Sequence, residues 1–179
     1  ESLLGELNGE AFQTTMSDLW TSVQELSKDP SSSVTQGLLV QRAEEFVERA
    51  VNIYDGMTFY QDNLNVQLKQ HVDKINDYGK KIMELNEQIR KIEVGGIEHA
   101  NDLRDVRNGL LDELAELVDI KTNENIYGDV DIQIEGVDFI KGERNFEIML
   151  QTDESTGFYT PFWPQNASYK ILSDGSREY

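Results

Sequence analysis

The sequence has no cysteine, and that absence removes disulfides, thiolate zinc sites and cysteine nucleophiles together. Proline is nearly absent too. Pro30, Pro161 and Pro164 are the only three, so the long stretch between Pro30 and Pro161 carries no residue that breaks a helix by losing its amide. Histidine, the usual signpost of acid–base chemistry, occurs twice, as His71 and His99, and neither has a companion at metal-binding spacing such as HExxH, so both read as structural or solvent-facing. No apolar run approaches the roughly 20 residues that span a bilayer, and the opening ESLLGELNGE lacks the basic and hydrophobic parts of a secretory signal. An initiating methionine is also missing, and the chain is expected to be either processed or, the preferred reading, an excised piece of something longer. Basic residues are few: 16 Lys plus Arg face 34 Asp plus Glu, a formal net charge of -18. Such a field repels phosphate, which argues against nucleic acid and anionic membrane as partners and is read as a solubility device.

What is present is periodicity. Residues 11–29 read as a helix whose apolar face is Phe12, Met16, Leu19, Trp20, Val23 and Leu26, stopped by Pro30. Ser31, Ser32 and Ser33 offer hydroxyl caps for the next helix, predicted over 34–93 and free of proline. Its early apolar positions, Leu38, Leu39, Ala43, Phe46, Val47, Ala50, Val51 and Tyr54, form a broad face suited to a bundle. Later, Ile75, Tyr78, Ile82, Leu85, Ile89 and Ile92 alternate at three and four residues, the seam of a coiled coil. A continuous helix of this length would reach about 90 Å, with Gly56 and Gly79 as candidate bends. Gly95 and Gly96 are expected to end it.

A third helix is predicted over 100–119, with Asn101 as its N-cap, Asp102 near its positive end and a stripe of Leu103, Val106, Leu110, Leu114 and Leu117. A short link between two long stripes implies an antiparallel hairpin, in which Arg104 and Arg107 can pair with acids of the facing helix. From Ile120 the period changes to alternation. Val130, Ile132 and Ile134, then 137–140, then Phe146, Ile148 and Leu150 read as strands. The aromatic tail of Phe158, Tyr159, Phe162, Trp163 and Tyr169 either fills the core of this module or lines a ligand groove, the first use being preferred. The predicted class is α+β, mainly α: a long antiparallel helical bundle or coiled-coil hairpin over 1–119, then a small all-β module, whole or partial, over 120–179.

Other constellations carry little chemistry. Asp129 with Asp131 and Asp153 with Glu154 have calcium-type oxygens but no twelve-residue loop. Glu44, Glu45 and Glu48 read as a solvated helix face, and the serines before the second helix have no GxSxG context. No phosphate loop is found, because Gly95-Gly96 follows a helix and not a strand, and Asn166-Ala167-Ser168 is a chance match to the glycosylation sequon. No catalytic residue, cofactor or metal site is expected, and the chain is read as a non-enzyme.

The segment ANDLRDVRNGLLDELAELVD, residues 100–119, resembles the signature of the flagellar hook-associated protein 1 family, which reads roughly A-N-D-L-x-D-x-R-D-x-L-x-D-x-L-x-x-L-V. Asn101, Asp102, Leu103, Arg104, Asp105, Arg107, Leu110, Leu111, Asp112, Leu114 and Leu117 fit, and Asn108 stands where that family usually has Asp. FQTTMSDLWTSVQELSKDP (12–30), LNEQIR (85–90) and GDVDIQIEG (128–136) are similar to family segments in the same order. The resemblance implies a fragment lacking the terminal segments that pair to drive polymerisation. It further implies a structural adapter at the hook–filament junction, extracellular on the bacterial flagellum and exported by the flagellar type III pathway. Implied partners are the hook protein, the second junction protein, copies of itself in a ring formed by the full-length protein, and an export chaperone engaging termini not in this chain. The competing reading is a secreted helical-hairpin effector or adhesin that recognises its target through the β module.

Overall fold

The computed structural model describes residues 10–94, 99–168, 170–172 and 177–178. Among the described residues three helices, α1 (Glu10–Lys28), α2 (Ser33–Glu93) and α3 (Asn101–Ala115), precede the strands. β1 (Ile120–Glu124), β2 (Val130–Ile134), β3 (Val137–Lys141) and β4 (Arg144–Asn145) form one antiparallel sheet in that order. β5 (Met149–Thr152) pairs antiparallel with β6 (Tyr159–Phe162), and β7 (Lys170–Ile171) with β8 (Arg177–Glu178). The mainly α class with a small antiparallel β module is therefore observed. The predicted Gly95-Gly96 stop and Tyr169 lie outside the described residues.

Contacts divide the chain into two compact units at Leu64 and Asn65, whereas the change from helix to strand falls at Asp119 and Ile120. In the first unit α1 runs antiparallel to the start of α2: the rings of Phe12 and Phe46 stand 5.3 Å apart, and further along α1 Asp18 lies 3.7 Å from Arg42. Proline ends α1 as its missing amide requires, and the Ser32 hydroxyl accepts from the Thr35 N–H at 3.5 Å to cap α2. The broad face predicted on α2 is only partly covered. Leu38, Leu39, Ala43, Phe46 and Ala50 are half-buried, but Val47, Val51 and Tyr54 are exposed, as are Met16, Trp20 and Val23 of α1.

In the second unit α3 folds back along the end of α2. Arg104 bonds Glu93, Arg107 bonds Asn86, and the Tyr78 hydroxyl donates to Glu113 at 2.6 Å, so positions rise on one helix as they fall on the other. The core beneath joins Ile75, Tyr78, Ile82 and Leu114 to Val130, Ile132, Ile134, Phe139 and Ile140 of the sheet, whose alternation puts one face of β2 inward. Helical hydrogen bonding runs through both Gly56 and Gly79.

The seam differs from the one predicted. On α2 the predicted Ile75, Tyr78, Ile82 and Ile89 are buried, joined by Val72, Gly79 and Asn86, while Leu85 is half-buried and Ile92 exposed. On α3 the predicted Val106 is exposed, and Arg107 takes the buried place with 1% exposure. Both shifts have one cause: the hairpin packs on a sheet as well as on itself, so the buried stripe turns toward a surface that helical periodicity does not reveal. The third helix also ends early, at Ala115, and Leu117 and Val118 reach the core from turn residues. Asn101 is not its N-cap; that place belongs to Ala100, which has no capping side chain, and its N–H donates instead to Glu93 Oε1 at 2.9 Å.

Gly79, predicted as a weak point, is a notch. A β-carbon there would overlap the Phe139 ring and lie 2.9 Å from Asn145 Oδ1, so only a bare backbone lets the helix approach the sheet this closely. Gly37 faces open space. Gly79→Ala is therefore expected to destabilise the chain by about 1–3 kcal/mol despite alanine's helix preference, and Gly37→Ala to stabilise it by up to about 1 kcal/mol, read as opposite shifts of the thermal midpoint.

Candidate functional site

Three asparagines of α2 hold the β module by its backbone. Asn86 Nδ2 donates to the Val130 carbonyl at 3.0 Å while its Oδ1 accepts from the Val130 N–H at 3.2 Å. Asn76 does the same for Ile148, donating at 2.9 Å and accepting at 2.9 Å. Asn65 spans a turn, donating to the Gly157 carbonyl at 2.9 Å and accepting from the Tyr159 N–H at 2.9 Å. A primary amide has the same donor–acceptor geometry as a peptide unit, so each side chain completes backbone pairing as a neighbouring strand would. Ile148 shows the need most plainly, because it lies just outside β5 and has no ladder partner in the sheet. The clamps occur in reverse chain order along α2, about 15 Å apart at 1.5 Å per residue, so the module is laid antiparallel along the helix.

Arg107 joins α3 to the same point. Its Nη1 donates to Asn86 Oδ1 at 2.9 Å and to the Gly128 carbonyl at 2.5 Å, and its Nη2 lies 3.3 Å from Glu124 of β1. Gly128 has φ +85°, which favours glycine, and a β-carbon there would also crowd Arg104 Nη2 at 2.9 Å. Arg104 bridges Glu93 of α2, with Nη2 to Oε2 at 2.6 Å, and Glu124 of β1. On the other side Arg90 pairs with buried Asp129 at 3.2 Å and with Glu143 at 3.0 Å. Three arginines thus stitch both helices to the β1–β2 hairpin. Arg107 Nε and Asp129 Oδ1 are buried without a partner, the cost of bringing charge here.

The electrostatics follow. Burial pushes the Arg107 guanidinium below its usual range, opposed by Glu124. The hydrogen bond from Arg104, then that from the Ala100 N–H, draws the Glu93 carboxyl from 4.5 down to about 2. Glu93 in turn holds Arg104 above the ordinary guanidinium range.

The signature residues separate into two groups. Leu110, Leu111, Leu114 and Leu117 reach the core, Leu103 is half-buried, and Arg104 and Arg107 enter the charge network. Asn101, Asp102, Asp105 and Asp112 lie on the exposed face. The pairing expected for Arg104 is with the facing helix, as observed, but Arg107 reaches an amide, a carbonyl and a strand carboxylate instead. Sequence reasoning missed Asn65, Asn76 and Asn86; the available signal was an asparagine recurring among apolar heptad positions, where it fixes register.

The acidic candidates are committed elsewhere. Burial raises the Asp131 carboxyl, but the Gly142 N–H and Lys141 outweigh it and hold it low; the Ser155 hydroxyl, then the N–H groups of Ser155 and Thr156, lower Asp153. Among the described residues no three His, Cys, Asp or Glu side chains are grouped to hold a metal. His71 and His99 are both exposed, the first on α2 and the second in the link just before α3. Among the described residues no helix is long and apolar enough to cross a membrane.

Two measurements test the clamp. Asn86→Ala removes two backbone bonds and a bond to Arg107, and should lower stability by about 1–3 kcal/mol in urea unfolding, against less than about 0.5 kcal/mol for exposed Asp105→Ala. For Glu93, the folded value lies below the unfolded one, so its contribution is complete above pH 4.5 and is lost as pH falls toward about 2. Thermal midpoints across that window should fall more steeply in the parent chain than in Glu93→Gln.

Comparison with known proteins gives this geometry its context. Flagellar hook-associated protein 1 of Bacillus subtilis (strain 168) is 29% identical over 128 residues, covering 72% of this chain and 25% of that protein. The protein of the same name from Escherichia coli (strain K12) is 28% identical over 114 residues, covering 63% of this chain and 21% of its own length. The chain thus spans about a quarter of these relatives. The solved flagellar hook junction protein FlgK from Burkholderia pseudomallei shares the fold, with a TM-score of 0.74 at 19% identity over 90% of this chain and 30% of that one. Nothing in these comparisons supports the effector or adhesin reading. Residues 1–175 match the family described as flagellar hook-associated protein FlgK helical domain, and the chain belongs to that family.

Proposed function

We propose that this chain is the helical strut and adjoining β module of a non-enzymatic adapter at the hook–filament junction of the bacterial flagellum. The single observation carrying this reading is the family match across residues 1–175, and the clamped hairpin supports it mechanically. Hydrophobic packing is non-directional and permits sliding, whereas amide and guanidinium bonds fix register; a part that transmits torque gains from the second.

In this reading the working division is 1–119 as strut and 120–179 as β module. Leu103, Arg104, Arg107, Leu110, Leu111, Leu114 and Leu117 hold the strut together. Asn101, Asp102, Asp105 and Asp112, with the exposed apolar residues Met16, Trp20, Val23, Val47, Val51 and Tyr54, face neighbours in the axial structure. Those neighbours are the hook protein, the second junction protein and other copies in a ring, and the parent protein reaches the cell exterior through the flagellar type III pathway with its export chaperone.

The test is removal of the parent gene from a motile strain, followed by electron microscopy of the cell surface and assay of the medium. Bare hooks with flagellin shed into the medium are expected. Normal filaments on those hooks would overturn the adapter role.

A further inference from the structure

A groove of about 640 Å³ opens beside the end of α3, between α2, the β2–β3 turn and β6. Its size falls within the roughly 300–1,000 Å³ usual for ligand sites. Val72, Leu117, Ile134 and Trp163 give it an apolar floor, while Glu116 and Glu135 place carboxylates at its edge. Glu116 and Glu135 are the two carboxylates among the residues lining the groove.

Glu135 is an unusual occupant of its position. It is the first residue of a two-residue turn linking Ile134 to Val137, with φ 51° followed by Gly136 at 83°. Turns of this type favour glycine, which has no β-carbon to strain the left-handed backbone, or asparagine and aspartate, whose short polar side chains offset that strain by local hydrogen bonds that glutamate is too long to make as well. Turn geometry therefore does not call for glutamate, and the groove beside it supplies a use for the longer carboxylate.

We propose that this groove receives a short amphipathic segment of a partner protein, which sets leucine-type side chains on the apolar floor and a lysine or arginine against Glu135. The apolar floor excludes a purely ionic ligand, and the rim charges, on a chain of net charge -18, select against an acidic one. The proposal goes beyond the junction reading and does not depend on it.

The test uses the full 179-residue chain carrying Trp20→Phe, which leaves Trp163 as the only tryptophan; Trp20 is an exposed residue of the other unit. The probes are an acetylated, amidated leucine–lysine helical peptide without aromatic residues and its leucine–glutamate counterpart. A saturable change in Trp163 fluorescence is expected with the lysine peptide and none with the glutamate peptide. Adding Glu135→Asn should weaken lysine-peptide binding roughly tenfold. Asparagine suits the left-handed turn, so the thermal midpoint of that variant should stay level or rise, which separates lost recognition from lost folding. Equal binding of both peptides, no saturable response at Trp163, or undiminished affinity in Glu135→Asn would each overturn the proposal.

Discussion

The constraint behind the second unit is that buried peptide groups must find partners, and α2 meets it with side-chain amides. A buried N–H or C=O left unpaired costs about 1–3 kcal/mol, enough to undo the gain from a well-packed aliphatic residue. A sheet lying on a helix leaves such groups wherever a strand starts, bends or stops. Asn86, Asn76 and Asn65 stand opposite such places, at Val130, Ile148 and the Gly157–Tyr159 turn. Because each amide both donates and accepts, each clamp fixes orientation as well as distance.

Arg107 extends this solution to the third helix. An aliphatic residue there would bury as well, but would leave the Gly128 carbonyl unpaired and would not tie α3 to the β1–β2 loop. The arginine couples both helices and the loop through Asn86, so register along the hairpin and placement of the sheet are set by one group. Around it, Arg104 pairs with the largely covered Glu93, and Arg104 and Arg90 carry the charge outward to Glu124 and Glu143, where solvent screens it. The result is directional restraint where apolar contact alone permits slippage.

Much of the architecture was legible because local signals and tertiary packing agree. Pro30 ended α1 within two residues of the expected place, α2 ran almost to the predicted bounds, and the change to alternation at Ile120 marked β1. The antiparallel return of α3 followed from a short link and two apolar stripes. What was not legible was the frame of those stripes. Tyr78 does reach the core, but Leu85 and Ile92, apolar and in the coiled-coil period, outscored Asn86 and Glu93 one residue further on; yet the sheet demands an amide at 86 beside a notch at 79, and α3 demands an acid at 93. Val106 misled for the same reason, standing beside an arginine whose burial depends on partners from β1 and its following loop. The groove was half seen: Trp163 both packs on Phe139 and lines it, so filling the core and lining a groove are not exclusive.

The most direct test of the clamp is backbone hydrogen exchange at residues whose amides depend on it. Ile148 lies outside the strands and donates its N–H to Asn76 Oδ1, and Tyr159 donates to Asn65 Oδ1. Exchange at both as slow as at Ile132 within β2 is the predicted result. Exchange as fast as at Ser155 in the exposed turn would contradict the account.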